Sequence, residues 1–374
     1  MSIKTFTKPT LTINLPALAA NYRNIADIAK TAAVAGVVKA DGYGLGAREV
    51  VQTLLDEGCE RFFVATPDEG AAVRAVAEDA QIAILGGLYQ GAEDFYLEHH
   101  LIPVINSLEE MARWRDYSQA QNFALPYWLH VDTGMNRLGL DAQEIQYFID
   151  GPEQAAPLHM IGVMSHFACA DEADHPMNAR QADTFAQIAR HFPDAQRSLC
   201  NSSGLFRDER WHYDLLRPGY ALYGGNPTPE TANPMNRVVS LEVPVLQTRL
   251  LRKGNTVGYG ASHTVSADSS AATIALGYAD GFFRAGSNKA SVYFKGQACP
   301  VLGRISMDLV TIGTGHLSDQ PKPGDMIEIL GPHQDIDTLA RDCADIGYDI
   351  LTALGRRYDR RYLPHPAKPA TSLT

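Results

Sequence analysis

Cysteine is scarce in this chain. Cys59, Cys169, Cys200, Cys299 and Cys343 are the five in 374 residues, an odd number, and no two have Cys-x-x-Cys spacing. This excludes a disulfide framework or a zinc site as the basis of the fold and predicts reduced thiols in a cytoplasmic protein. Basic charge is also short. Thirty-two Lys and Arg against 43 Asp and Glu leave a net charge of −11, which argues against nucleic acid as a partner, since phosphate contact needs a basic face. Small anionic ligands stay open, because local fields can oppose the net charge. No run approaches the roughly 18 apolar residues of a spanning helix, and the opening MSIKTFTKPTLTINL has no apolar stretch of leader length. Neither a membrane span nor a leader is expected. No group of ligating side chains has metal spacing. His166, Asp132 and Ser202 superficially spell a hydrolase triad, but no Gly-x-Ser-x-Gly elbow is present.

What is present is an alternation. Short apolar runs at Ala35–Lys39, Phe62–Ala65, Gln81–Leu85, Ile102–Ile105, Tyr127–Asp132, Met160–Ser165, Arg197–Cys200 and Leu215–Arg217 alternate with helical stretches. Ala47–Glu57 sets Val50, Val51, Leu54 and Leu55 on one helix face. Thr66-Pro67-Asp68-Glu69 reads as a capping box with proline at the first helical position, and Ser107 and Asp141 start helices by the same logic. Eight such units predict an α/β fold whose N-terminal part, residues 10–225, is a (β/α)8 barrel; strand counting alone leaves a doubly wound open sheet as the alternative. Asn226-Pro227-Thr228-Pro229 and Asn233-Pro234 mark a linker. Residues 236–362 read as a mainly β domain, with strands at Val243–Leu251, Ala272–Leu276, Ala290–Phe294, Val301–Ile305, Leu309–Ile312 and Met326–Leu330. The first strand, Thr10–Leu15, could pair with either domain.

Barrel enzymes carry their reactive groups where strands end. Those positions here hold Lys39 and Tyr43, Asp132 with Arg137, His166, Asn201 with Ser202, and Arg217. A lysine packed at a strand end is often structural, and Asp132 reads more simply as a loop acceptor. Taken together, one lysine, one histidine, two arginines and an Asn-Ser pair suit an anionic cofactor and a carboxylate substrate. A lysine amine condenses with aldehydes, and pyridoxal phosphate is the common carrier of that chemistry. Asn201-Ser202-Ser203-Gly204 and Arg217-Pro218-Gly219-Tyr220 offer hydroxyls and backbone N–H groups for a phosphate.

The stretches VVKADGYGLG, VDTGMNRLG, MSHFACAD, CNSSG, RPGYALYG, VGYGAS, GYADG and GRISMD follow one another in the order and spacing of alanine racemases. The resemblance covers the chain from about Thr10 to about Tyr362. It implies a pyridoxal-phosphate enzyme that interconverts L- and D-alanine with two bases, serving D-alanine supply for peptidoglycan or alanine catabolism. Lys39 resembles the cofactor-bearing lysine and one base; Tyr259 resembles the other. Arg217 resembles the partner of the pyridine nitrogen, with His166 in its network. Tyr43, Ser202, Gly219 and Tyr220 resemble phosphate holders, with Asn201 nearby. Arg137 and the Met307 backbone N–H would meet the substrate carboxylate, and Tyr278 and Asp308 would line its access path. The resemblance also implies a head-to-tail homodimer in which the β domain of one copy completes the barrel mouth of the other. An arginine opposite the ring nitrogen argues against a decarboxylase, and a β domain carrying Tyr259 argues against a non-catalytic cofactor carrier; broad specificity stays open.

Two positions depart from the family pattern. Seven residues before Arg137 the family usually has a lysine, often carbamylated, and here His130 stands there. An anion such as chloride, or water, is expected beside Arg137 instead. Leu351–Arg357 lacks the second gate tyrosine of many members, so a wider access path is expected.

Overall fold

The computed structural model describes residues 8–151 and 158–365, which divide into two compact units. Strand β1 (Thr10–Asn14) opens the described chain and belongs to the second unit. The first unit comprises Leu18–Leu222 together with Asn226–Met235, so the proline-rich stretch packs with the barrel unit.

In the first unit, β2 (Ala33–Val34) and β3 (Gly36–Val37) follow one another with a break at Ala35. Then come β4 (Arg61–Val64), β5 (Gln81–Ile84), β6 (Leu101–Ile105), β7 (Leu125–His130), β8 (Leu158–Met164), β9 (Gln196–Ser198) and β10 (Leu215–Leu216). Strands β3 to β9 pair in sequence order, all parallel. The sheet closes because β10 pairs in parallel with β2 while Asp214 and Arg217 donate backbone N–H bonds to Arg197 and Cys200 beside β9. Helices cover the outside of the strands, so the strands are apolar on both faces; Phe62, Phe63, Val64, Val104 and Ile105 are all buried. The sequence expectation of a barrel rather than an open sheet holds.

The helix starts follow the side chains. Thr66 caps Pro67–Arg74 in a reciprocal box with Glu69, Asp141 does the same with Glu144 for Ala142–Asp150, and Ser107 accepts from Glu110 N at the start of Leu108–Gln121. Thr66 and Ser107 sit directly after β4 and β6, and Asp141 ends the longer loop that follows β7. These caps satisfy the first N–H groups of the helices that leave the C-terminal ends of the strands.

The second unit is built on β11 (Val239–Leu251), a 13-residue strand. Beyond it lie β12 (Thr256–Val257), β13 (His263–Thr264), β14 (Ser269–Ile274), β15 (Ser291–Phe294), β16 (Gln297–Pro300), β17 (Val310–Gly313), β18 (Met326–Leu330) and β19 (Asp359–Leu363). β1 lies antiparallel to β11 and parallel to β19, which settles the first strand's partner. One expected strand is absent. Of Val301–Ile305, Val301 alone forms an isolated bridge, to Ile312, and Gly303 takes φ 79°, where an extended ladder cannot continue. Its place is taken by β16, which turns back on β15 through Lys295 and Gly296. Two short helices, Ile336–Asp342 and Gly347–Thr352, also lie in this unit. No helix among the described residues is long and apolar enough to cross a membrane.

Candidate active site

Lys39 directly follows β3 and Val38, and the chain then takes an unusual path. Ala40, Asp41, Gly42 and Tyr43 have φ of 52°, 55°, 62° and 56°, a left-handed helical turn. Left-handed backbone costs an L-residue about 1–2 kcal/mol, so the surroundings must impose it. Gly44 N donates to Ala40 O and Gly46 N to Asp41 O, while Ala47 N donates to the Asp41 carboxylate at 2.8 Å. Glu69 accepts from Ala40 N at 2.7 Å. Lys39 thus emerges from a strained, tightly bonded turn rather than from the plain strand end expected. Burial lowers the pKa of its ammonium, and Arg137 adds to that; Glu69 opposes it.

Arg217 follows β10 and is buried. Its guanidinium donates to Ser198 Oγ, Ser165 O and Leu199 O and lies 6.0 Å from the Phe63 ring centre. No carboxylate pairs with it among the described residues. Burial pulls its pKa down to about 10, still cationic at neutral pH. His166 follows β8, and burial holds its imidazole well below the usual range, reinforced by Arg217, Arg137, His130 and Lys39 in that order. His166 keeps some solvent contact, but burial and the Arg217 charge both oppose its protonation, so it is neutral.

His130, the last residue of β7, is buried, and its Nδ1 lies 2.7 Å from Asn106 Oδ1. The Asn106 amide nitrogen donates to Val104 O and Leu85 O, so its oxygen accepts and the His130 proton resides on Nδ1. Burial, then Arg217, push its pKa down to about 4. No hydrogen bond joins His130 to Arg137, which is exposed. Asp132 is a loop acceptor, taking the N–H groups of Gly134, Met135 and Asn136 at 2.8 to 3.2 Å.

The phosphate-type loops meet. Ser202 Oγ accepts from Gly219 N at 3.0 Å and from Ala221 N at 3.1 Å, leaving its O–H free to donate. A Cβ on Gly219 would stand 2.2 Å from the Tyr43 hydroxyl, so only glycine lets that ring approach. Tyr220 begins the 3-10 turn Tyr220–Tyr223. Asn201 Oδ1 accepts from Gly204 N at 2.9 Å, a turn-forming role. The hydroxyls of Tyr43 and Ser202 beside a cation-rich rim form a donor set that fits an anionic group such as a phosphate ester.

The remaining predicted residues lie in the second unit. Gly277 fits against the Met307 carbonyl, where a Cβ would stand 2.1 Å away, and Tyr278 N and Ala279 N donate to Ser306 O and Met307 O. Asp280 and Asp308 are bridged by Arg357, which donates to both at 2.7 Å. Tyr259 is 69% exposed and Met307 52%, with Tyr278 and Leu309 also open. Sequence reading missed Glu69 beyond its cap, and it missed Arg357. A glutamate two residues after Pro67 is fully accounted for by a helix start, and nothing in one sequence links Arg357 to Asp280.

Comparison with known proteins identifies the family and the fold. The family profile "Alanine racemase, N-terminal domain" matches residues 13–227 and "Alanine racemase, C-terminal domain" matches residues 238–362. The alanine racemase of Rhodospirillum rubrum is 46% identical over 94% of this chain and 95% of its own. A catabolic alanine racemase of Agrobacterium fabrum is 42% identical over 97% and 94%. The crystal structure of alanine racemase from Bartonella henselae with covalently bound pyridoxal phosphate superposes with a TM-score of 0.93, at 38% identity over 96% of this chain and all of that one. The chain belongs to the alanine racemase family of isomerases.

Proposed function

We propose that the barrel rim binds pyridoxal phosphate and that this protein interconverts L- and D-alanine through two bases, Lys39 and Tyr259. The observation that carries the reading is the grouping at the strand ends: Lys39 on its pinned left-handed turn, buried Arg217 with no carboxylate partner among the described residues, and Ser202 bonded to the Gly219 loop against which Tyr43 packs. Pyridoxal phosphate, when bound, supplies the electron sink that acidifies the Cα–H of an amino acid joined to it.

The chain's own residues do the rest. Lys39 would hold the cofactor covalently and, when free, exchange a proton at Cα; its lowered pKa makes the neutral amine accessible. Tyr259 would serve the opposite face, since inversion needs one base per face. Arg217 stays cationic and would donate toward the ring nitrogen without surrendering a proton, which would limit how far charge is drained from Cα. His166, held neutral by burial and by Arg217, would leave Arg217 the permanent cation opposite the ring nitrogen. Tyr43, Ser202, Gly219 and Tyr220, with Asn201 supporting the turn, would hold the phosphate. Arg137 and the Met307 N–H would hold the substrate carboxylate, with an anion such as chloride, or water, beside Arg137. Tyr278 and Asp308 would line the access path.

Tyr259, Tyr278, Met307 and Leu309 form an exposed apolar set around one loop of the β unit, a surface of the kind that seeks a partner. We assign that partner as a second copy, in a homodimer whose β unit completes the neighbour's barrel rim. Reduced thiols fit a cytoplasmic location. The same reaction serves D-alanine supply for peptidoglycan or alanine catabolism. The test is direct. Purified protein should show the absorbance of a bound pyridoxal chromophore and abolish the optical rotation of L-alanine. Rotation that stays constant with chromophore bound refutes the racemase reading.

A further inference from the structure

We propose that Glu69 is a positioning residue for Lys39, its carboxylate fastening the left-handed Lys39 turn to the end of β4. The inference rests on the reading of Lys39 given above. In a capping box the glutamate at the third helical position serves the N–H of the cap residue. Here that bond, to Thr66 N, is the longest of the three, at 3.4 Å. The short bonds go elsewhere: Oε2 accepts from Ala65 N at 2.8 Å, and Oε1 accepts from Ala40 N at 2.7 Å. One carboxylate therefore joins the residue after β4 to the residue after Lys39, across 29 positions of chain.

The site of attachment matters. Ala40 is the first left-handed residue, at φ 52°, so the bond holds the point where the chain departs from β3. At the far side of the turn the Asp41 carboxylate takes Ala47 N. Lys39 stands at the entrance to a turn pinned at both ends, which restricts the direction in which its long side chain leaves the backbone. The charged and titratable groups of the barrel unit facing Lys39 are Arg137 on the loop after β7, His166 after β8, and Glu69. Glu69 is the anion among them. It gives the Lys39 ammonium a counter-charge that the two arginine- and histidine-bearing loops do not.

The test separates reach from charge. Glu69→Gln keeps the length and loses the charge together with one of the two acceptor oxygens; Glu69→Asp keeps the charge and both oxygens and loses the span needed for three N–H groups. Each variant is loaded with pyridoxal phosphate and assayed, and each cofactor-free protein is treated with an amine-acylating reagent across pH while labelling of Lys39 is followed by mass spectrometry. Both variants should lose roughly ten- to a hundred-fold in kcat with KM for alanine nearly unchanged. In Glu69→Gln the pH midpoint of Lys39 labelling should move down, because the anion that favours the ammonium is gone; in Glu69→Asp it should stay close to wild type. Wild-type kcat and wild-type midpoint in Glu69→Gln, with a lowered Tm as the sole change, would reduce Glu69 to a helix cap and overturn the proposal. Lys39→Ala checks the underlying reading separately: if it binds cofactor covalently and races on, Lys39 itself is misassigned, whatever Glu69 does.

Discussion

His130 Nδ1 lies 2.7 Å from Asn106 Oδ1, both side chains buried, His130 at the end of β7 and Asn106 just beyond β6. The pair is neutral. His130 titrates near 4 because burial and Arg217 oppose its charge, so an ordinary histidine value near 6.5 applies only to the unfolded chain. Between those two values the unfolded state binds the proton and the folded state does not. Stability should therefore be intact above about pH 6.5 and fall as pH drops toward 4, by at most on the order of 3 kcal/mol from this group. Thermal melts of wild type and His130→Gln across pH 4.5 to 7 check this. The variant should be less stable at pH 7 and should show the shallower decline.

Gly219→Ala should displace the Tyr43 ring, because the new methyl would overlap its hydroxyl at 2.2 Å. Ser202 would lose its grip on the same loop, since Gly219 N is one of its two donors. The expected result is a cofactor affinity at least about tenfold weaker, a loss of more than ~1.4 kcal/mol. Titration of the cofactor-free protein, followed by chromophore absorbance, measures it.

Tyr259→Phe removes one of the two proposed bases without removing the ring. Racemisation should fall by about 10²–10⁴-fold, the usual contribution of a positioned acid or base. The loss should be asymmetric in isotope terms. In D2O the variant should still exchange the Cα hydrogen of one enantiomer and not of the other. Equal exchange from both would show that Tyr259 is not the base of either face.

Arg357→Ala removes the bridge that ties Asp280 to Asp308 at 2.7 Å on each side. Asp280 also accepts from Gly277 N, beside Tyr278, and Asp308 adjoins Met307. Loosening both segments should raise KM for alanine several-fold. The guanidinium is half exposed, so the stability cost should stay near ~1 kcal/mol. Steady-state kinetics and a thermal melt separate the two effects.

A dimer that completes its own sites predicts an activity that depends on concentration. Specific activity should drop on dilution in step with the dimer fraction measured by sedimentation. Met307→Asp, which puts charge into the exposed apolar set, should favour the monomer and inactivate it. Full activity in a verified monomer would remove the shared-site proposal.

The order of elements was legible because period and punctuation agree. Buried parallel strands must be apolar on both faces, and Thr66, Ser107 and Asp141 announce helices by satisfying their first N–H groups. The rim positions followed from that order, since the loop after each strand carries the reactive groups. Lys39, His166, Ser202 and Arg217 could all be named from this alone. Other features were invisible for physical reasons. An apolar run such as Val301–Ile305 reads as a strand until a neighbour and a backbone angle forbid it; here Gly303 at φ 79° does so. The left-handed turn after Lys39 was also hidden. Alanine and tyrosine have no preference for that conformation, and they adopt it because distant groups hold them there. The pairing of β1 with β11 and β19, the Asn106–His130 bond, the Arg357 bridge and the reach of Glu69 to Ala40 all join residues far apart in the chain. Local propensity sets which element a segment forms. Which carboxylate or amide ends within 3 Å of which partner is decided only when the barrel strands close and, in the second unit, when the β strands pair.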